Sequence, residues 1–132
     1  MFISKDQTLQ QLQEQFQQKF SSLALAFYAK KHADGEVSQV ADQLNMHLFV
    51  KDVQQKDHEG SVALNDEMTV ETFEHICALH FGLYVQVLRK SGQQWLQTTR
   101  TDHWTLAKQQ EEAELMHTTN SNEDLGDYHE QE

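Results

Sequence analysis

Proline is absent from the 132 residues, cysteine occurs once and glycine five times. One cysteine excludes an internal disulfide framework and any multi-cysteine zinc or iron–sulfur site. So few glycines and no proline leave little material for phosphate-cradling loops, and no GxSxG, P-loop, GxGxxG or EF-hand pattern is present. Cations are also scarce. The 10 Lys+Arg stand against 21 Asp+Glu, a net charge of −11, which argues against direct binding to nucleic acid because phosphate neutralisation needs a cationic face. No run of about 18 apolar residues exists to span a membrane. Residues 1–7 turn polar too soon for a signal peptide. The expectation is a cytoplasmic protein with no membrane contact, no cofactor and no metal. A chain of this length forms one domain and buries about two-thirds of its unfolded surface, enough for a real core.

The most informative feature present is an internal repeat. Apolar residues fall at Leu9, Leu12, Phe16 and Phe20, and again at Val70, Phe73, Cys77 and Phe81, each pair 61 positions apart. Steps of three, four and four trace one stripe down an α-helix. Thr8 with Gln11 fits a capping box, Thr69 can cap the second helix, and Gly82 suits a left-handed C-cap. A period-two strand follows each helix: Leu23, Leu25 and Phe27 in the first copy, Leu83, Val85 and Val87 in the second. Each strand runs into a basic pair, Lys30-Lys31 or Arg89-Lys90.

The copies then diverge. In the second, Ser91-Gly92-Gln93 predicts a hairpin turn, residues 94–99 a returning strand carrying Trp95, and Thr105 the cap of a weak helix through about Leu115 with Leu106, Ala107, Gln110 and Ala113 inward. Glu111, Glu112 and Glu114 near its end predict fraying, because the helix dipole disfavours negative charge there. In the first copy, Val37, Val40, Ala41 and Leu44 predict a short inserted helix, and residues 47–53 the returning strand. A surface loop over 54–60 and a short strand within 61–64 complete the expectation. From His117 the chain holds five carboxylates and no Lys or Arg, so residues 117–132 are expected to form a disordered acidic tail. Seven of the 18 glutamines fall between Gln7 and Gln18; on a patterned helix they predict a solvated outer face.

The segment Met68-Thr69-Val70-Glu71-Thr72-Phe73, then Phe81-Gly82-Leu83-Tyr84-Val85-Gln86-Val87-Leu88-Arg89-Lys90-Ser91-Gly92, with Trp95-Leu96-Gln97-Thr98-Thr99 and Thr101-Asp102-His103-Trp104-Thr105-Leu106, resembles a group of small bacterial proteins built from tandem α-β-β repeats. The likeness covers about 40 residues firmly and the first copy loosely. It implies an α+β fold in a bacterial cytoplasm. That group has no established activity, so no functional residue carries over.

Eight histidines are many for this length: His32, His47, His58, His75, His80, His103, His117 and His129. His75 and His80 are five apart on one helix and point away from each other. Glu71 shares a face with His75, but no HExxH pattern exists, and scattered surface histidine is the expected reading. Cys77 could pair with His80 or His75 as a nucleophile, yet its stripe position makes it a small core hydrophobe. Arg89 and Lys90 beside Trp95 would give a cation-plus-aromatic surface. The same charges could equally solubilise a hairpin. Tyr84, Gln86 and Leu88 face away from Leu83, Val85 and Val87, a half-apolar sheet face if helices cover only one side.

The sequence therefore predicts one α+β domain over residues 1–116, made of two related α-β-β halves (about 5–53 and 66–116). Its sheet is twisted, antiparallel or mixed, with helices on one face. The expected function is a non-enzymatic binding or regulatory module acting through a sheet face or edge on a protein partner or a second copy of itself. Tyr84, Gln86, Leu88, Arg89, Lys90 and Trp95 are its candidate interaction surface. The alternatives are a small hydrolase-like enzyme using His and carboxylate groups between the halves, and an acidic mimic of nucleic acid.

Overall fold

The structure, a computed structural model, describes residues 1–30 and 40–122. Its elements in chain order are β1 (Phe2–Ile3), α1 (Leu9–Lys19), β2 (Leu23–Tyr28), α2 (Val50–Val53), β3 (Gly60–Ser61), α3 (Val70–Phe81), β4 (Tyr84–Ser91), β5 (Gln94–Gln97) and α4 (Leu106–Asn122). β2, β4 and β5 form an antiparallel sheet in the order β2-β4-β5, and β1 pairs antiparallel with β3. The fold is α+β. Among the described residues, no helix is long and apolar enough to cross a membrane.

The two apolar stripes fold as their spacing dictates. Leu9, Leu12, Phe16 and Phe20 are buried, as are Val70, Phe73, Cys77 and Phe81. Both stripes enter one apolar cluster with Leu23, Leu25, Phe27, Val85 and Val87 from the sheet and Leu106 from α4. The helices meet at Phe16 and Phe73, whose ring centroids lie 5.1 Å apart.

A helix begins with backbone N–H groups that have no partner inside it. Here they are satisfied twice by one arrangement. The Leu9 and Gln10 N–H groups donate to the carbonyls of Leu48 and Met46, while those of Val50 and Lys51 donate back to Gln7 and Lys5. In the second half, Val70 and Glu71 donate to Trp104 and Asp102, and Leu106 and Ala107 donate back to Met68 and Asp66. The third donor goes to a threonine hydroxyl at three of the four helices: Gln11 to Thr8, Thr72 to Thr69 and Lys108 to Thr105. Thr8 and Gln11 complete the capping box.

This arrangement corrects the expectation for the first half. Residues 47–53 do not supply a returning strand; Val50–Val53 is one turn of helix whose start is clasped to α1. Of the predicted inserted helix, the described residues form a 3₁₀ turn over Val40–Asp42, and Val37 lies outside them. The following residues are drawn to the edge of β2 instead. Gln43 bridges Tyr28, the Leu44 N–H donates to Phe27, and the Ala29 N–H donates to Asp42. The short strand is Gly60–Ser61, sharing Ser61 with the expected 61–64 and kept to two residues by its two-residue partner β1. Likewise β5 ends at Gln97, and Thr98 turns its N–H and hydroxyl onto the Val87 carbonyl.

α4 reaches Asn122, so the expected boundary at 117 falls inside a helix. No glycine or proline interrupts that stretch. Glu111, Glu112 and Glu114 thus sit in mid-helix, away from the terminal dipole that would disfavour them. Its buried stripe is Leu106, Gln109 and Ala113 rather than one through Ala107. Residues 123–132 of the expected tail lie outside the described residues.

The glutamines of α1 are not a purely solvated face either. Gln13 accepts from the Leu25 N–H, Gln17 donates to the Leu23 carbonyl, and Gln15 both accepts from and donates to the Phe2 backbone. A primary amide carries a donor and an acceptor, so it can stand in for a neighbouring strand.

Candidate functional site

The β4–β5 hairpin turns at Gly92, whose φ of 62° is left-handed and favours glycine. Its register pairs Leu88 with Gln97, Arg89 with Leu96, Lys90 with Trp95 and Ser91 with Gln94. Side chains alternate across a strand, so Lys90 and Trp95 share one face while Arg89 and Leu96 share the other. The Lys90 ammonium lies 6.0 Å from the Trp95 ring centroid, and the ring is 42% exposed. This is the cation-plus-aromatic pair the sequence predicts.

The remaining candidates separate by burial. Arg89 is withdrawn from solvent: its Nη1 donates to Gln109 Oε1 at 3.0 Å and its guanidinium lies 5.6 Å from the Trp104 ring centroid. Gln109 is itself buried and donates on to the carbonyl and hydroxyl of Thr101. Arg89 therefore ties β4 to α4 and offers no interaction surface. The second sheet face is likewise covered at its centre, where Gln86, Ala24, Ala26 and Tyr28 are all buried. Burial raises the Tyr28 phenol above its ordinary value. α4 lies against β4 and β2 on the Arg89 side. Tyr84 and Leu88 are half-buried. Of the six predicted residues, the hairpin presents Lys90 and Trp95 together.

The two flanks of the sheet differ in their backbone. Along β2, the Leu25 N–H is taken by Gln13, the Leu23 carbonyl by Gln17 and the Phe27 carbonyl by the Leu44 N–H. The Val87 N–H is similarly taken by Glu74 Oε2 at 2.9 Å. Leu25 and Val87 face each other across the sheet, and their helix partners Gln13 and Glu74 occupy matching places in α1 and α3. β5 is different. The Lys90 N–H donates to Ser22 on the β2 side, so Lys90 and Trp95 form a non-hydrogen-bonded pair by the alternation of an antiparallel ladder. The N–H and C=O of Trp95 consequently point off the sheet, and no further strand pairs with β5 among the described residues.

The proposed Cys/His chemistry is not assembled. Cys77 is 1% exposed, whereas Glu71, His75 and His80 are exposed on the outer side of α3. Burial pushes the Cys77 thiol well above its ordinary value, with the Glu74 carboxylate adding to the effect. Alkylation of Cys77 by iodoacetamide at pH 8 should therefore proceed only through opening of the fold, at least about a hundredfold slower than in denaturant; mass spectrometry over time checks it. His80 instead lines an open cleft of about 470 Å³ beside α3, together with His58, Ser61, Met68, Ile76 and Phe81. Sequence distance hid this neighbourhood, because His58 comes from the loop before β3. No group of three or more His, Cys, Asp or Glu side chains suited to a metal forms among the described residues.

No protein-family model, curated protein or solved structure matches the chain.

Proposed function

We propose that this protein is a non-enzymatic binding module that takes an extended segment of a partner protein onto the edge of β5. The observation that carries this reading is the contrast between the sheet's flanks: β2 is closed by helix side chains and residues 42–44, while Trp95 turns its backbone and an exposed ring outward. Strand addition of this kind draws affinity from main-chain hydrogen bonds and specificity from alternate side chains. The separation of Cys77 from His75 and His80 favours binding over nucleophilic catalysis. Lysines interleaved with carboxylates, as in the pairs Lys5–Asp57, Lys19–Asp66 and Lys51–Asp6, weigh against a one-sign face imitating nucleic acid.

The scaffold of this module is, on the same reading, a duplicated unit of a helix, a strand and a second helix clasped to the start of the first, closed about a pseudo-twofold axis between β2 and β4, with β5 present in the second copy. The matching clasps at the helix starts and the paired roles of Gln13 and Glu74 support it. A bacterial cytoplasmic setting belongs to the proposal on the strength of the sequence resemblance alone.

Trp95→Pro tests the edge directly. The Trp95 N–H makes no bond within the ladder, so proline there removes an outward donor while the hairpin stays paired. Trp95→Thr removes only the ring. Peptides selected by display against the full chain should lose binding at least about tenfold in Trp95→Pro and less in Trp95→Thr. Circular dichroism should report both variants folded. Unchanged affinity in folded Trp95→Pro would exclude β5 as the docking edge.

A further inference from the structure

We infer that the segment received by β5 is acidic. This rests on the strand-addition reading above and adds the chemistry of the partner. The chain has about twice as many carboxylates as cations, so a lysine or arginine without a carboxylate neighbour is the less expected arrangement. Lys5, Lys19 and Lys51 each form an ion pair, and Lys56 donates to the Leu79 carbonyl. Lys30, past the end of β2, and three cations near the hairpin depart from this pattern. Lys90, Arg100 and Lys108 make no ion pair among the described residues. Lys90 leans over Trp95, Lys108 lies 5.0 Å from the Trp104 ring centroid, and exposed Arg100 sits in the 3₁₀ turn Thr99–Thr101 beyond the end of β5.

Both tryptophans of the chain are thus each approached by a lysine, one on β4 and one on α4. Arg89, buried against Trp104, links the two neighbourhoods. Lys90 pairs with Trp95 where the outer backbone of β5 is turned outward, while Lys108 and Trp104 lie on the Arg89 side of the sheet. A strand laid on that edge would place alternate side chains beside Lys90 and Trp95 on one face. A carboxylate there gains an attraction that no carboxylate among the described residues supplies, whereas a basic strand meets the Lys90 ammonium. The net charge of −11 repels an acidic partner at long range, so the preference is a local effect. It is confined to within a Debye length of about 10 Å at 0.1 M salt.

Three synthetic peptides with the same alternating Thr-Val core test the inference, flanked on both sides by Glu, Gln or Lys. Binding to the full chain is read by tryptophan fluorescence and by titration calorimetry. The Glu-flanked peptide should bind about fivefold tighter than the Gln-flanked one, and the Lys-flanked peptide more weakly still. Salt at 0.5 M should compress the order, and the double variant Lys90→Glu/Arg100→Glu should reverse it. If the three bind equally, yet all lose affinity in Trp95→Pro, the edge reading stands and the acidic preference is overturned. If none is weakened by Trp95→Pro, the edge reading itself fails. Absence of binding by the Glu-flanked peptide at millimolar concentration also overturns the inference.

Discussion

Truncating Phe16 or Phe73 to alanine is expected to cost about 3–5 kcal/mol each. That is a large share of the roughly 5–15 kcal/mol that holds a domain of this size. Both rings are fully buried and touch each other at 5.1 Å with a 33° tilt. Phe20 packs on Phe16 at 5.4 Å, so a cavity at position 16 opens against two rings. Urea unfolding should show a lower midpoint for both variants at an unchanged slope. The double variant should lose less than the sum of the singles by about 1 kcal/mol, because each single variant already forfeits the shared contact. Leu79→Ala, on the exposed side of α3, should stay within about 0.5 kcal/mol of the parent. Strict additivity would mean that α1 and α3 do not meet at these residues. The helices of the two halves would then need another way to share a core.

The residues that made this contact predictable carry their information locally. A helix that buries one face must place apolar side chains three and four apart, and its first free N–H groups favour a threonine cap. Both stripes, the caps at Thr8, Thr69 and Thr105, and the left-handed Gly82 were therefore legible in sequence. The start of α2 was not. Phe49 stands where the other helices have threonine, and its cap makes no side-chain bond. That turn is held by backbone bonds to Lys5 and Gln7, more than 40 residues earlier in the chain. Periodicity has no access to such partners.

The same limit explains the candidate surface. The sequence reading set Arg89 and Lys90 together beside Trp95, and it could not show that Gln109 and Trp104 wait on the Arg89 side. Gln86 reads as solvent-facing because its neighbours Val85 and Val87 are apolar. It is buried because the face it shares with Ala24, Ala26 and Tyr28 is covered. Glutamines 13, 15 and 17 pattern as a wet helix face, and only the tertiary arrangement turns their amides onto strand edges. Lys90 and Trp95 stand side by side as the sequence implied, because a two-residue turn fixes their register without distant help.

Replacing Gly82 by alanine should destabilise the fold by about 3 kcal/mol or more, from two sources that can be separated. Gly82 caps α3 at φ 64° and ψ 30°, where its N–H returns to Ala78 and the Leu83 N–H returns to Cys77. A side chain in that left-handed region costs about 1–2 kcal/mol. The second source is crowding. A Cβ at Gly82 would lie 2.6 Å from the Gln55 nitrogen and closer still to that of Lys56. These are backbone atoms, held in place because the Gln55 N–H donates to the Gly82 carbonyl at 2.8 Å. Asparagine tolerates the left-handed conformation but carries the same Cβ. If crowding dominates, Gly82→Asn should be nearly as damaging as Gly82→Ala; if conformation alone dominates, asparagine should recover most of the loss. Gly92→Asn serves as the reference, since the hairpin turn at φ 62° should accept asparagine for less than about 1 kcal/mol. Thermal unfolding of the four proteins decides between the sources. A severe Gly82→Asn would show that glycine is required where residues 55–56 press against the end of α3, the contact that sets where β4 begins.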